Sequence, residues 1–284
     1  MKMIGIGDNV CDKYRTLGTM FPGGQALNVS VYCRQAGWET AYLGVFGKDA
    51  VGDYVKKTLD DFGIDRSHCR EYDGENGYAV VDLIDGDRVF VTSNKGGVLR
   101  EHPIRLEKKD LDYLASFDLV YTSNNSYFDD ELKKVRRLKE EKKPGMLISY
   151  DFSYRWFEKE RWEKVCPNVD FAFLSCSDLD DEKTEELTRS LIQAGCGVVI
   201  ATRGGKDVVF MDSEETIRYQ PKLVQAVDTL GAGDSFASGF LMEYASRRAS
   251  GKEKGIRACL DAGAALSAKT CMVQGAFGHG TKLV

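Results

Sequence analysis

Asp228-Thr229-Leu230-Gly231-Ala232-Gly233-Asp234-Ser235-Phe236 sets three small residues at the end of a polar turn, just ahead of an apolar-periodic run. The run, roughly Ala232–Arg248, reads as a helix, so the backbone N–H groups of Gly231, Ala232 and Gly233 fall at its N-terminus. Those groups lack intrahelical partners and lie at the positive end of the helix dipole. Such a turn can hold an anion, and the lack of side chains lets a phosphoryl group come close. Asp234 lies in the first turn. Spacing alone leaves it two roles: an acid that stabilises the helix N-terminus, or a general base beside an anion site.

Upstream of this stretch, strands alternate with helices. Met3–Gly7 is short, apolar and glycine-bounded, which predicts a first strand. Asn28–Ala36 follows a Gly-Gly pair with helical spacing, and Gly37 closes it. Thr40–Val45 reads as a strand and Gly52–Phe62 as a helix ended by Gly63. Further strands are expected at Leu119–Thr122, Leu147–Asp151, Phe171–Leu174 and Val198–Thr202. Helices are expected between them over Asp129–Lys142, Lys159–Val165 and Glu182–Ala194. The alternation predicts an α/β fold with a mainly parallel sheet between helices. Tyr78–Ile84 and Arg88–Thr92, joined by Asp85-Gly86-Asp87, break the rhythm and predict a hairpin in a small accessory sheet. Asp207–Met211 and Thr216–Tyr219 read as a second hairpin, and Lys252–Thr270 as a closing helix. Without repeats, low-complexity tracts or linkers, residues 1–284 are expected to form one domain. The basic run Lys133–Lys143 carries Leu132, Val135 and Leu138 at helical spacing, and a solvated helix face explains it.

Composition narrows the function. The 284 residues carry a net charge of −5, and 43% are hydrophobic, enough for a sizeable core. Mild acidity argues against a nucleic-acid binder. No run approaches the roughly 18 apolar residues of a membrane span, and the polar start argues against a signal peptide, so a cytoplasmic protein is expected. The eight cysteines are scattered without a CxxC pair, and His68, His102 and His279 stand in no zinc-ligand spacing, which favours reduced structural thiols. Glycine, at 29 against 5 prolines, is abundant, as tight turns and backbone approaches to a ligand require. The common phosphate motifs fail. Val10 stands where a dinucleotide fingerprint needs its third glycine, and neither Gly47-Lys48 nor Gly205-Lys206 is followed by Ser or Thr.

The Asp228–Phe236 stretch resembles the carboxy-terminal signature of the ribokinase-like (PfkB) carbohydrate kinases. Other landmarks of that family occur in order: Asp12 after the first strand, Gly23-Gly24 with Asn28, and Thr202-Arg203-Gly204 after a late strand. The resemblance implies a ribokinase-like three-layer sandwich with a small β lid, formed mainly by residues 76–95 and part of 10–20. It implies ATP-dependent phosphorylation of a primary hydroxyl on a sugar or sugar–amine conjugate, with Mg2+ and room for a monovalent cation (K+). Asp234 would be the base, and Gly231, Ala232 and Gly233 the anion hole. Asp12, Gly23, Gly24 and Asn28 would grip sugar hydroxyls, which vicinal donors and acceptors suit. Thr202 and Gly204 would contact ATP phosphates, and Asp228 would lie near the cation loop. On the residues alone, Asp12 and Asp228 could equally be turn acids and Asn28 a helix cap. The lid, with Tyr78 and Thr92 on it, would exclude water and offer a contact for a homodimer. Gly7-Asp8-Asn9, the segment from Gly23 to Cys33, and Asp151-Phe152-Ser153 most resemble the members that phosphorylate fructoselysine. A fructokinase-like or nucleoside kinase, or a silent sugar sensor on the same fold, are the alternatives.

Three departures from the family pattern stand out. Ser175-Cys176-Ser177-Asp178 replaces an Asn-xx-Glu motif linked to magnesium, keeping only the Asp178 carboxylate as a metal ligand. Asp207 stands where a glycine is usual. Asp151-Phe152-Ser153-Tyr154-Arg155 has Ser for a central Asn, and Arg155 could meet a phosphate, a substrate carboxylate or a surface acid.

Overall fold

The computed structural model describes residues 1–84, 87–252 and 255–284, with side chains outside 83–90. Its strands are β1 (Lys2–Gly7), β2 (Val10–Tyr14), β3 (Thr19–Gly23), β4 (Glu39–Gly47), β5 (Arg70–Tyr72), β6 (Tyr78–Ile84) and β7 (Asp87–Ser93). They continue as β8 (Leu119–Ser123), β9 (Leu147–Ser153), β10 (Phe171–Ser175), β11 (Val198–Thr202), β12 (Val208–Met211), β13 (Thr216–Tyr219) and β14 (Thr281–Lys282). The large sheet has the order β13-β12-β11-β10-β9-β8-β1-β4-β5. From β11 to β5 its neighbours pair in parallel, and β12 and β13 close one end antiparallel.

Residue alternation along these strands builds two cores. Met3, Leu119, Tyr121, Phe171 and Phe173 face one side, where Val29, Phe236, Phe240 and Leu260 of the helices Gln25–Gln35, Ala232–Ala249 and Ile256–Thr270 cover them. Ile4, Val120, Ile148, Ala172 and Val199 face the other, under Leu114, Leu132, Val135 and Leu191. A sheet buried on both faces needs apolar residues at both parities, which explains why its strands read as continuous apolar runs. Leu132, Val135 and Leu138 are buried on the helix Leu132–Lys142, while Arg136–Glu140 and Arg137–Glu141 pair on its outer side. All eight cysteines are unpaired.

A second sheet has the order β14-β3-β2-β6-β7. Part of 10–20 was expected beside the hairpin, and β2 pairs there in parallel with β6; β3, antiparallel to β2, and the edge strand β14 broaden the sheet beyond that expectation. The hairpin β6–β7 is present, but its Asp85-Gly86 turn lies outside the described residues. Some boundaries differ from expectation. The helix expected at Asn28 begins at Gln25, because Asp8 caps it from outside the segment. The helix expected from Lys252 begins at Ile256, and Asp129–Glu131 is a separate 3-10 turn ahead of Leu132. Lys108–Leu114 forms a short capped helix that its charged sequence did not announce. Among the described residues, no helix is long and apolar enough to cross a membrane.

Candidate active site

The large sheet reverses its strand order at β1, which lies between β4 and β8. In open parallel sheets the crevice beyond the C-terminal strand ends at such a reversal is where ligands bind. Here Asp8 leaves β1 and Ser123 ends β8. Buried Asp8 accepts hydrogen bonds from the Gln25 N–H at 2.7 Å and the Ala26 N–H at 3.2 Å. The Ser123 and Ser126 hydroxyls donate to it at 3.0 and 3.1 Å. It thereby caps a helix whose own N-cap, Gly24, has no side chain to offer. Gly24 has φ +108°, and a Cβ there would lie 2.7 Å from the Asp8 carbonyl oxygen. Glycine is required at this turn on both counts.

Asn28 lies in the first turn of that helix, and its Nδ2 donates to Asp234 Oδ2 at 2.7 Å. Its Oδ1 is buried with no hydrogen-bond partner, an acceptor held ready for a donor from outside the chain. Asp234 is itself buried, and its carboxyl is pushed up to about 8. Burial is the main cause; the negative charge of Asp151 adds to it, and those of Asp8 and Asp12 add less, against the Asn28 hydrogen bond. Asp151, at the end of β9, is raised to about 6, chiefly by burial, although the Tyr121 hydroxyl and the Ser153 N–H both donate to it. Asp12, on β2, is buried, and a Cβ on Gly23 would lie 2.7 Å from its Oδ2. Four acids thus surround one small space. Such pairs of carboxyls with different environments are the usual sign of acid–base work.

On the other side of Asp234, the N-terminus of the helix Ala232–Ala249 opens onto a cleft of about 650 Å³. Thr202, Gly204, Ser175, Ala232 and Gly233 line it together with Leu223 and Val224. Gly231 has φ +75°, and a Cβ there would lie 2.4 Å from the Tyr32 hydroxyl. A Cβ on Gly233 would meet nothing within 4 Å, so its bareness serves the cleft rather than the packing. One expectation changes. The Ala232 N–H donates to the Thr229 carbonyl at 3.2 Å, closing the turn, and so is not free to point at an anion. The Thr202 hydroxyl donates to the Leu174 carbonyl at 3.1 Å, which fixes the strand end beside Gly204.

Asp207, the residue in place of the usual glycine, clasps this turn: Arg203 Nη1 donates to it at 2.5 Å and Arg218 Nη1 at 2.8 Å. Asp228 is a junction. Its Oδ2 accepts from the Tyr14 hydroxyl at 2.9 Å and the Gly275 N–H at 3.0 Å, and its Oδ1 from the Leu230 N–H at 2.9 Å. It ties the small sheet to the Leu230–Gly233 turn. Asp178 is exposed, and Ser177, rather than Asp178, lines the cleft. Among the described residues no three acids, cysteines or histidines are grouped as metal ligands. One open carboxylate next to Ser177 at this cleft fits Mg2+ only as an ion carried mainly by nucleotide oxygens and water.

The fold thus brings Asp234, Asn28, Asp12 and the two glycine turns around one space, with Thr202 and Gly204 in the adjoining cleft. Asp8, Asp151 and Tyr121 also belong to this space, and the sequence reading gave none of them a role. The signal available for Asp8 and Asp151 was an acid at the C-terminal end of a strand, a position shared by many turn residues.

Residues 10–278 match the pfkB family of carbohydrate kinases. Fructosamine kinase FrlD of Bacillus subtilis is 37% identical over 283 residues, covering 99% of this chain and 94% of the relative. Fructoselysine 6-kinase of Escherichia coli is 32% identical over 272 residues, covering 96% and 98%. The structure of aminoimidazole riboside kinase from Salmonella enterica, complexed with aminoimidazole riboside and an ATP analog, superposes with a TM-score of 0.78 at 20% identity, covering 100% of this chain and 97% of that one.

Proposed function

From a chain that belongs to the pfkB family of carbohydrate kinases, and is therefore a phosphotransferase with an alcohol acceptor, we propose a specific reaction: ATP-dependent phosphorylation of the primary 6-hydroxyl of fructoselysine. The observation that carries it is the buried Asp234 carboxylate, held by Asn28 and next in the chain to Gly233, which lines the cleft. One oxygen of Asp234 is fixed by the amide, which leaves the other to take a proton from the acceptor hydroxyl. As that proton passes to Asp234, the hydroxyl oxygen bonds to the terminal phosphorus of ATP and ADP departs. Phosphoryl transfer of this kind needs positioning and charge stabilisation more than covalent chemistry. Gly231 and Gly233 would let the phosphates approach the helix N-terminus, and Thr202 and Gly204 would flank them. Mg2+ supplies neutralisation of phosphate charge, and Asp178 would face it. Asp12, Gly23, Gly24 and Asn28 would hold the sugar, with Asn28 Oδ1 accepting from a sugar hydroxyl.

The acceptor is named on the strength of the two relatives, whose names both specify sugar–amine conjugates. The small sheet would act as the lid over the sugar and as the contact for a second copy, in a cytoplasmic enzyme. A potassium requirement, if the Asp228 loop holds a cation, is measured by exchanging K+ for choline. The main test is ADP release across fructoselysine, psicoselysine, fructose, ribose and adenosine. Turnover of fructoselysine well above the free sugars is expected; turnover confined to free sugars or nucleosides overturns the acceptor.

A further inference from the structure

Beyond the acid cluster, the segment that follows β9 carries a charged pair that the proposed chemistry does not use, Arg155 and Glu158. Arg155 donates from Nε to Glu158 Oε1 at 2.6 Å, and its Nη2 shares the same oxygen. Its guanidinium has five donors, so the others have no protein partner among the described residues. Arg161 is fully engaged by comparison. It reaches Glu158 Oε2 and Asp129 Oδ2, each at 3.2 Å, and donates to the Asn124 carbonyl at 3.2 Å. Arg161 therefore orients Glu158, while the Arg155 side chain remains 37% exposed.

The pair is joined to the candidate active site by a continuous path. The Asn124 N–H donates to the Asp151 carbonyl at 2.9 Å, and Asn125 Nδ2 donates to Gln25 Oε1 at 2.9 Å, next to the Asp8 cap. Asn124 is itself buried with both ends of its amide unpartnered, so this loop holds polar groups beyond what the chain satisfies. Arg155 lies four residues past Asp151, hence within about 14 Å of chain. A sugar carrying a four-carbon lysine stem spans a gap of that order. Tyr154 and Phe157, 66% and 58% exposed, flank Arg155 and offer apolar surface to such a stem.

We propose that Arg155 and Glu158 form the subsite for the free amino-acid end of the acceptor, the α-carboxylate on the Arg155 guanidinium and the α-ammonium beside Glu158. A side-by-side cation and anion is the complement of a zwitterion, and a guanidinium fork matches a carboxylate. A free sugar or a nucleoside has nothing to place there. The inference rests on the sugar–amine reading above and gives its specificity a location.

The test compares kcat/KM for fructoselysine with that for N-fructosyl-pentylamine, which has the same linkage and stem length but no α groups. The unaltered enzyme is expected to prefer fructoselysine. In Arg155→Met that preference falls at least tenfold, through KM for the acceptor and not KM for ATP, and Arg155→Lys regains part of it. Glu158→Gln lowers it in the same direction. Equal losses on both acceptors, a rise in KM for ATP, or an unchanged preference overturns the subsite while leaving the reaction standing. An unaltered enzyme that turns over no amino-acid conjugate overturns the acceptor reading and the subsite with it.

Discussion

Asp234 is buried beside Asp151, and both facts disfavour its charged form. With its carboxyl raised to about 8, the fraction able to accept a proton grows as pH rises toward that value. The acid limb of kcat/KM is therefore expected near pH 8 in the free enzyme. Asp151→Asn removes a neighbouring negative charge, lowers the Asp234 value, and moves the limb to lower pH; a pH–rate profile of both proteins measures it. The same shift has a sign for stability. The folded state holds the Asp234 proton more tightly than the unfolded chain, whose value is near the ordinary 3.8, so stability is lost as pH climbs from about 4 to about 8. Asp234→Asn escapes that loss. Its Tm is expected to exceed that of the unaltered protein by more at pH 8 than at pH 5, while turnover is abolished. Substitutions at Gly231 and Gly233 would distinguish packing from the proposed catalysis. Gly233→Ala has open space for its methyl, so Tm stays within about 2 °C while kcat drops ~10-fold or more as the methyl enters the cleft. Gly231→Ala forces a methyl against Tyr32 from a left-handed backbone, and loses stability as well as activity.

At the scale of elements, the helix Gln25–Gln35 depends on a residue from another strand. Its N-terminal N–H groups are satisfied by Asp8, and the hydroxyls of Ser123 and Ser126 bind the same carboxylate. Asp8 thus joins the ends of β1 and β8 to the turn that positions Asn28. Asp8→Ala removes a cap and leaves the buried Ser123 and Ser126 hydroxyls only each other, so that one of them lacks an acceptor, at a cost of about 2 kcal/mol. Hydrogen exchange of the Gln25 and Ala26 amides is expected to accelerate, and kcat to fall because Asn28 no longer holds Asp234 in place. Protection unchanged at those amides would contradict this coupling. The sequence showed the Gly-Gly turn and the helix after it, but began the helix at Asn28. A segment read alone cannot show a cap donated from 17 residues upstream.

At the scale of the molecule, the small sheet is tied down at its edge by the chain's last residues. β14 pairs with Thr19 and Met20, the Leu283 N–H donates to the Gly18 carbonyl at 3.0 Å, and Lys13 Nζ reaches the Val284 carbonyl at 3.0 Å. These contacts lie away from the two cores of the large sheet, although Leu283 is partly buried against a third cluster that includes Met20, Tyr32 and Phe277. Removing residues 281–284 is expected to lower Tm by less than about 4 °C, yet to raise KM for the acceptor more than KM for ATP. Steady-state kinetics on the shortened protein checks that split, and equal effects on both constants would deny the small sheet a role at the acceptor.

The sequence by itself determined the layered α/β architecture, the helix start after Gly231, and the two glycine turns. Those features are local: apolar periodicity, small residues at a helix N-terminus, and turns that side chains would obstruct. It also singled out Asp234 as a candidate, and Asn28 and Asp12 through the family resemblance, though not the hydrogen bond or the shared burial that joins them. Only the tertiary structure set Asp8, Asp151 and Tyr121 around Asp234, used the Ala232 N–H to close its own turn, and turned Asp207 into a clasp between Arg203 and Arg218. It also assembled the small sheet from three distant parts of the chain, β2–β3, the hairpin β6–β7, and β14, which is only two residues long. The reason is physical: burial and the proximity of charges arise when strands distant in the chain become neighbours, and no local pattern encodes the dielectric around a carboxyl.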